Sequence, residues 1–112
     1  MSLLCFNCHG LGESQVVDDL RSLLRRHSPK IVFLSETKRS GAEMELVRRR
    51  LGDYFGVYAD SHGRAGGLAL LWDKSVALTL YSYSAYHMDA YVRWGETDEE
   101  WRFTGIYGWP KT

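Results

Sequence analysis

The chain has 112 residues, 45% of them hydrophobic, which is enough for one globular domain with a core and too little for two. Lysine plus arginine and aspartate plus glutamate number 14 each, so no net charge draws the chain to nucleic acid or to an anionic membrane. Two cysteines, no leader pattern and no long apolar run exclude a disulfide framework and a membrane span. We expect a reducing intracellular compartment, cytoplasmic or nuclear.

The first half of the chain alternates strand and helix patterns. A strand is predicted from Leu3 to Asn7, followed by a glycine loop and a helix that ends at Ser28-Pro29. Four consecutive apolar residues at 31–34 indicate a second strand, buried on both faces as in parallel β-α-β units. A capping box that begins at Ser40 opens a second helix, which Gly52 closes.

The second half changes to the alternating pattern of β-strands. Five strands are predicted, at 54–60, 67–72, 76–83, 86–93 and 101–107. The order β-α-β-α and then a meander predicts an α/β fold, a mixed β-sheet with two helices on one face, over a single domain at residues 1–112. Asp60-Ser61-His62 is predicted to lie in a loop between strands.

This arrangement leaves the other face of the predicted sheet without a cover. Both alternate sets of the meander are apolar or aromatic, with Val76, Leu78 and Leu80 on one side and Ala77, Thr79, Tyr81 and Tyr83 on the other. Large exposed apolar surfaces on soluble proteins usually mark interfaces. We therefore expect a homodimer or another protein to cover the open sheet face.

The segment "CFNCH" matches the C-x-x-C-H pattern of haem attachment and the C-x-x-C pattern of redox sites. In a strand, residues three apart point to opposite faces, so Cys5 and Cys8 cannot grip one cofactor unless the chain turns between them. The sequence also offers no visible axial ligand partner. We expect no haem here, and the cysteines are interpreted as small buried hydrophobic residues.

Asn7 and Glu36 each lie at the carboxyl end of a predicted strand, where open α/β sheets bind ligands. If the two strands are neighbours, the amide and the carboxylate come together. Both offer the oxygen ligands that Mg²⁺ prefers. A structural alternative stays open at this point: Asn7 caps its loop, and Glu36 pairs with Lys38 or Arg39.

Four segments, "LLCFNCHGLG", "IVFLSETK", "GRAGGLALLW" and "RFTGIYGWP", occur in the order in which the endonuclease/exonuclease/phosphatase (DNase I-like) superfamily has its blocks. The chain resembles the N-terminal half of the endonuclease domain of plant long-interspersed-element (LINE, non-LTR) retrotransposons. The resemblance implies half of a four-layer α/β sandwich. It covers essentially the whole chain.

The resemblance implies roles for three residues. Asn7 matches the asparagine that orients the metal and phosphate side of the site, Glu36 the principal metal-binding carboxylate, and Tyr107 the tyrosine that contacts the scissile phosphate. His9 stands where the plant elements usually carry arginine. The metal ligands implied are Glu36 and Asn7, with Mg²⁺ as a weakly bound cofactor because one carboxylate is a poor site for it.

Other blocks that the resemblance implies are not found in the sequence, namely an Asp-x-Asn pair and a terminal Ser-Asp-His block. Phosphodiester hydrolysis depends on several such groups, so we expect a catalytically incomplete, vestigial site. The preferred prediction is a protein-interaction module without efficient nuclease activity. The alternative is a Mg-dependent phosphodiesterase that a dimer or a complementing half reconstitutes.

Some remaining groups have ordinary explanations. Arg48, Arg49 and Arg50 are expected to form a solvated helix end rather than a phosphate site. His27 and His87 are expected to have surface or packing roles. The tryptophans could stack on bases, but zero net charge favours contact with protein or core packing. They are Trp94, Trp101 and Trp109.

Overall fold

A computed structural model describes residues 2–62, 65–95 and 99–107. The described residues form nine elements: β1 (Leu3–Asn7), α1 (Ser14–His27), β2 (Ile31–Ser35), α2 (Gly41–Leu51), β3 (Tyr54–His62), β4 (Ala65–Asp73), β5 (Val76–Tyr83), β6 (His87–Trp94) and β7 (Trp101–Ile106). Neither of the helices in the described segments is long and apolar enough to cross a membrane.

The first three elements form a parallel β-α-β unit, as the sequence predicts. β1 pairs with β2 in parallel, and Asn7 is the register partner of Ser35. Helix α1 buries Val17, Leu20 and Leu24 at helical spacing, which presses one stripe of the helix against the sheet. The unit therefore brings the carboxyl ends of β1 and β2 side by side.

Helix α2 begins with the predicted capping box. The backbone N–H of Glu43 donates to the Ser40 hydroxyl at 3.2 Å, and the backbone N–H of Ser40 donates to the Glu43 carboxylate at 3.0 Å. Two donors at the start of the helix are thus satisfied. Met44, Val47 and Leu51 are buried on the same face of the sheet that α1 covers.

Four strands make the first sheet, in the order β1-β2-β4-β3. β4 runs antiparallel to both of its neighbours, so the sheet is mixed. The α/β class with two helices on one face of a mixed sheet is confirmed. The loop predicted at Asp60-Ser61-His62 is wrong, because β3 and β4 continue as a longer hairpin in which Ser61 pairs with Gly66.

The predicted open face of this sheet is also wrong, because the meander does not extend the sheet. β5, β6 and β7 form a second sheet of their own, in the order β5-β6-β7. The reason lies in β4, whose two edges are already paired with β2 and β3. After the turn at Lys74 and Ser75, β5 has no free edge beside β4 and crosses to a new layer.

The second sheet covers the first with a shared apolar core. Odd-numbered β2 residues and even-numbered β4 residues meet the inward side of β5 and β6. The buried members are Ile31, Phe33, Ala59, Leu68, Leu70, Val76, Met88, Ala90 and Val92. The molecule thus has three layers, helices, first sheet and second sheet, and its open sheet face is the outer side of the second sheet.

This outer side carries an aromatic patch, formed by Tyr81, Tyr91 and Arg102. The two tyrosine rings meet edge to face with centroids 5.4 Å apart, and the guanidinium carbon of Arg102 lies 5.4 and 5.9 Å from their centres. A β-bulge between Leu80 and Ser82 shifts the register, so Tyr83 becomes the partner of the buried Met88. The sequence prediction that Tyr81 and Tyr83 share one face is therefore wrong.

Candidate functional site

The three residues predicted for the site come together in space. Asn7 ends β1, Glu36 follows β2 directly, and Tyr107 follows β7 directly. The Tyr107 hydroxyl donates a hydrogen bond to Oε1 of Glu36, although the two residues are 71 positions apart in sequence. The site is therefore built at the ends of strands from both sheets.

The backbone holds Glu36 in a left-handed conformation, with φ of 51°. This conformation is uncommon outside glycine and requires support from its surroundings. The Glu36 carbonyl accepts from Gly10 N–H at 2.8 Å, and Thr37 N–H donates to the Gly67 carbonyl at 3.1 Å. The loops after β1 and β2 and the start of β4 thus fix the direction of the carboxylate.

Gly67 makes this close approach possible. It has φ of 92°, and a Cβ at this position would lie 2.2 Å from Oγ1 of Thr37. Thr37 is fully buried, so it has no room to move away. A glycine in the block "GRAGGLALLW" therefore allows the β2 loop to pack directly on β4.

Glu36 is ionised more readily than an ordinary glutamate. The Tyr107 hydrogen bond lowers its pKa most, the Asn7 amide, His9 and Lys38 lower it further, and partial burial acts in the opposite direction. The side chain is 24% exposed, and its Oε2 lies 3.3 Å from Nδ1 of His9. A charged carboxylate with one side open to solvent results, which is the form that a cation would bind.

Asn7 has two structural contacts. Its Oδ1 accepts from the backbone N–H of His9 at 3.0 Å, which forms a turn at the end of β1. Its amide also forms a hydrogen bond that lowers the pKa of Glu36. The loop-capping alternative for Asn7 is therefore found in the structure, together with a hydrogen bond to Glu36, and its role toward a metal or phosphate stays a prediction.

Tyr107 ties the second sheet to the site. Its backbone N–H donates to the Tyr86 carbonyl at 2.8 Å, which extends the β6–β7 pairing by one residue. Its pKa is raised, first by the hydrogen bond to Glu36, so the hydroxyl stays protonated and remains a donor. Its ring packs against the core between the sheets.

The contacts of Glu36 differ from the structural alternative, in which it pairs with Lys38 or Arg39. Arg39 pairs with Glu43 at 2.7 Å and not with Glu36. Lys38 acts on Glu36 only through its charge, and it has φ of 55°. The contact of His9 with Glu36 was missed by sequence reasoning, although the glycine loop after β1 was a signal that residue 9 turns back toward the next strand.

The cysteines lie on opposite sides of the first sheet. Cys5 is exposed on the side that faces the second sheet, and Cys8 is buried in the core below the helices. The prediction of a buried residue is therefore confirmed for Cys8 and wrong for Cys5. Burial, together with the charge of Glu36, raises the pKa of Cys8 to about 12. Cys8 is therefore a protonated packing residue at neutral pH.

Several other residues singled out from the sequence have contacts of their own. Arg48 binds Glu45 and the Tyr54 carbonyl, and Arg50 lies 3.2 Å from Asp18. The two ring nitrogens of His87 contact the hydroxyls of Ser82 and Ser84 at 3.1 and 2.6 Å. Trp94 and Trp101 are exposed at 41% and 53%, and Trp109 lies outside the described residues.

A shallow open depression adjoins the site between the loops that follow β1 and β2. It has a volume of about 570 Å³ and is lined by His9, Gly10, Gly12, Glu13, Val16, Lys38 and Arg39. Its charged groups are mostly basic. The depression therefore offers a surface on which an anionic group could approach Glu36 from solvent.

Comparison with known proteins identifies the family. The model of the endonuclease/exonuclease/phosphatase family matches residues 4–109, so the chain belongs to this family. The AP endonuclease LMAP of Leishmania major shares the fold, with a TM-score of 0.70 over 95% of this chain, 14% identity and 39% of its own chain covered. The match to the APE2 catalytic domain of Xenopus laevis has a TM-score of 0.49 and 19% sequence identity. It covers 70% of this chain and 26% of that chain.

None of the curated proteins compared with the chain matches it in sequence. The chain spans about two fifths of the length of the Leishmania enzyme. The two helices and two sheets of this chain thus form part of the DNase I-like fold of AP endonucleases.

Proposed function

We propose that this endonuclease-like chain acts as a protein-interaction module by pairing the open face of its second sheet, first of all with a second copy of itself. The aromatic patch on that face carries the proposal. Tyr81 is 62% exposed, although its ring already contacts Tyr91 and Arg102. Tyrosine and arginine are the side chains that most often dominate binding energy at protein interfaces.

The aromatic patch is held in place by an ion pair between Arg102 and the largely buried Asp89. The Arg102 guanidinium binds both oxygens of Asp89, with distances of 2.6 to 3.2 Å, and Thr104 donates to the same carboxylate at 3.2 Å. Asp89 is 6% exposed, so this buried carboxylate fixes the position of the Arg102 guanidinium. A partner would bind rigid side chains and lose little conformational entropy in the process.

We propose an interaction role over catalysis because, among the described residues, Asn7 and Tyr107 contact a single carboxylate, that of Glu36, and one carboxylate is a weak metal site. In the segments that the structure describes, no three His, Cys, Asp or Glu side chains gather into a metal-binding group. We propose that Mg²⁺ binds weakly to the Glu36 carboxylate beside Asn7, because oxygen ligands suit it and further anionic ligands would have to come from elsewhere.

The four sequence blocks also support a plant LINE origin.

Light scattering after gel filtration tests the proposal. The wild-type chain should elute as a species heavier than 12.9 kDa. Tyr81→Ser should shift it toward the monomer, whereas Tyr83→Ser, a matched control at 60% exposure, should not. A wild-type monomer at micromolar concentration, or equal effects of the two substitutions, would contradict the proposal.

A second candidate is a metal-dependent phosphodiesterase that a dimer or a complementing half reconstitutes. The convergence of Asn7, Glu36 and Tyr107 at the ends of two sheets favours it. Glu36 would hold the cation, and Asn7 would help to orient the metal and phosphate side of the site. The Tyr107 hydroxyl would turn from Glu36 to donate to a phosphate oxygen once the cation occupies the carboxylate. A divalent cation at this place would neutralise charge on the phosphate.

Plasmid nicking with Mg²⁺ or Mn²⁺ tests this second candidate. Activity that Glu36→Gln abolishes and Asp53→Asn leaves intact would establish it and would overturn the preference for a non-catalytic role. Asp53 is a suitable control because its side chain is 82% exposed and pairs with Lys74 at 2.8 Å. Activity that survives Glu36→Gln would instead point to a contaminating nuclease.

A further inference from the structure

The helix layer has a surplus of positive charge. Helices α1 and α2 together contain six arginines and four acidic residues. Three of the four carboxylates are already bound in ion pairs, namely Asp18 with Arg50, Glu43 with Arg39 and Glu45 with Arg48. Among the described residues, four arginines of these helices have no carboxylate within ion-pair distance, namely Arg21, Arg25, Arg26 and Arg49.

One ion pair between the helices shows which sides of them face each other. The Asp18 carboxylate lies 3.2 Å from the Arg50 guanidinium, so these side chains bridge α1 and α2. Arg21 follows Asp18 by one helical turn and Arg25 follows by a further turn, so both lie on the side of α1 that faces α2. Arg49 precedes Arg50 on α2. The exposed residues Arg21, Arg25, Arg49 and Arg50 are here called the arginine patch.

The arginine patch differs in composition from a protein interface and from a membrane surface. Protein interfaces have aromatic side chains at a centre that is depleted of charge, but α1 and α2 contain no aromatic residue. Helices that lie on membranes turn a broad apolar face to the lipid. Leu46 is the one large apolar side chain exposed on these two helices, which the structure describes in full. Interfaces with nucleic acid, in contrast, are polar and strongly positive.

The zero net charge of the chain does not oppose a local contact with phosphate. At roughly 0.1 M salt, exposed charges more than about 10 Å apart are largely screened from each other. The carboxylates closest to the patch are engaged, because Asp18 binds Arg50 and Asp19 accepts from Gln15 at 2.8 Å. Arginine also presents a planar group that binds two phosphate oxygens at once.

The arginine patch lies away from Glu36 and from the second sheet. Both helices begin beside the carboxyl ends of β1 and β2 and run toward the opposite end of the first sheet. At about 1.5 Å per residue, Arg25 and Arg49 lie roughly 16 and 12 Å along the axes from the first residues of their helices. The helices and the second sheet cover opposite faces of the first sheet, so a dimer through the second sheet leaves both patches open.

We infer that the arginine patch binds the phosphate backbone of double-stranded nucleic acid without reading its sequence. This contact goes beyond the proposed interaction function and does not depend on the Glu36 site. A duplex is the ligand because proteins bind single strands by stacking bases on aromatic rings, which the two helices lack. The contact is electrostatic, so the affinity should fall steeply as the salt concentration rises.

Fluorescence anisotropy tests the inference with two labelled DNA duplexes of unrelated sequence, each about 20 base pairs long. The full chain is used in the presence of EDTA, so that neither metal binding nor cleavage contributes. Both duplexes should bind alike at about 50 mM salt and lose tenfold or more in affinity by about 200 mM. No binding at the lower salt concentration, or binding of one sequence only, would overturn the inference.

Arginine-to-glutamine variants locate the contact. Arg21→Gln, Arg25→Gln and Arg49→Gln should each weaken binding and reduce the salt slope by about 1. Arg93→Gln is the matched control, because Arg93 is an exposed arginine of β6 for which the described residues supply no ion pair. It should change the affinity by less than about twofold. Equal effects of Arg93→Gln and the patch variants would contradict the inference.

Two further measurements exclude other contacts. Lys38→Gln alters the depression beside Glu36 and should leave duplex binding unchanged. Loss of binding in this variant would assign the duplex to the depression and overturn the inference. Vesicles that contain phosphatidylserine should bind more weakly than the duplex, and binding to vesicles without binding to the duplex would assign the patch to a membrane instead.

The outcomes also separate this inference from the proposed function. Tyr81→Ser should abolish self-association and leave the affinity of each chain for the duplex intact. Self-association without duplex binding would remove only the inference about the arginine patch. Duplex binding by a strict monomer would remove only the proposed self-pairing.

Discussion

At the scale of single residues, the site depends on one hydrogen bond between the sheets. The Tyr107 hydroxyl donates to Glu36 and lowers the pKa of the carboxyl group. A carboxyl whose folded pKa is depressed adds stability above its unfolded pKa and loses it as the pH falls through the folded value. The contribution is thus present at neutral pH and lost in acid.

Tyr107→Phe should therefore reduce the free energy of unfolding at pH 7, because the Glu36 carboxylate loses this donor. The difference from wild type should vanish as the pH falls below 4.5, the ordinary glutamate value, and through the lower folded value. Urea titrations at several pH values measure this difference. Tyr81→Phe, at an exposed tyrosine away from the site, should have little effect, and a difference for Tyr107→Phe that persists in strong acid would contradict the assignment.

Two adjacent glycines allow a second test at this scale. Both have positive φ, but a Cβ at Gly66 meets nothing within 4 Å, whereas one at Gly67 meets Thr37 at 2.2 Å. Gly66→Ala should cost about 1 kcal/mol of unfolding free energy from the backbone alone. Gly67→Ala should cost roughly 3 kcal/mol or more, since it adds a clash in a buried region. Equal losses in urea denaturation would contradict the close approach.

At the scale of elements, a local sequence signal sets where α2 begins, whereas the occupied edges of the first sheet set where β5 lies. The capping box at Ser40 sets the start of α2 whatever the rest of the chain does. The path of β5 is set instead by the pairing of β4 on both edges. The capping box therefore acts through α2 alone, whereas the position of β5 depends on the complete sheet.

Ser40→Ala should lower the unfolding free energy by about 1 kcal/mol, because the N–H of Glu43 loses its acceptor. Ser22→Ala, at an exposed position within α1, serves as the control and should be neutral or slightly stabilising. Thermal or urea unfolding followed by circular dichroism measures both. A larger loss for Ser22→Ala would contradict the capping assignment.

At the scale of the whole molecule, the three layers share two cores separated by the first sheet. One core lies below the helices and the other between the sheets. Every strand of the first sheet from β2 onward contributes to the core between the sheets. The second sheet should therefore unfold together with the first, in one cooperative transition.

Met88→Ala tests this cooperativity, because Met88 is fully buried between the sheets. The substitution should cost about 2–5 kcal/mol, and the aromatic and backbone circular dichroism signals should change at the same urea concentration. Leu46→Ala, at a position 64% exposed on α2, should be nearly neutral. Separate transitions for the two signals would show that the second sheet folds independently.

The sequence by itself determined the elements, the parallel β1-α1-β2 unit and the capping box. It also determined that Asn7 and Glu36 lie at the carboxyl ends of β1 and β2, because apolar spacing, caps and glycines act over a few neighbours. Since parallel strands end at one edge, the meeting of Asn7 and Glu36 was predictable as well. The alternation of β5 was predictable only up to the bulge, which a local pattern does not reveal.

Only the tertiary structure decided that the meander forms a second sheet. Whether a strand joins an existing sheet depends on which edges are already occupied, and that is a property of pairings between distant residues. The same long-range pairing brought the Tyr107 hydroxyl onto Glu36. The open surface consequently moved from the first sheet, where the sequence placed it, to the outer side of the second.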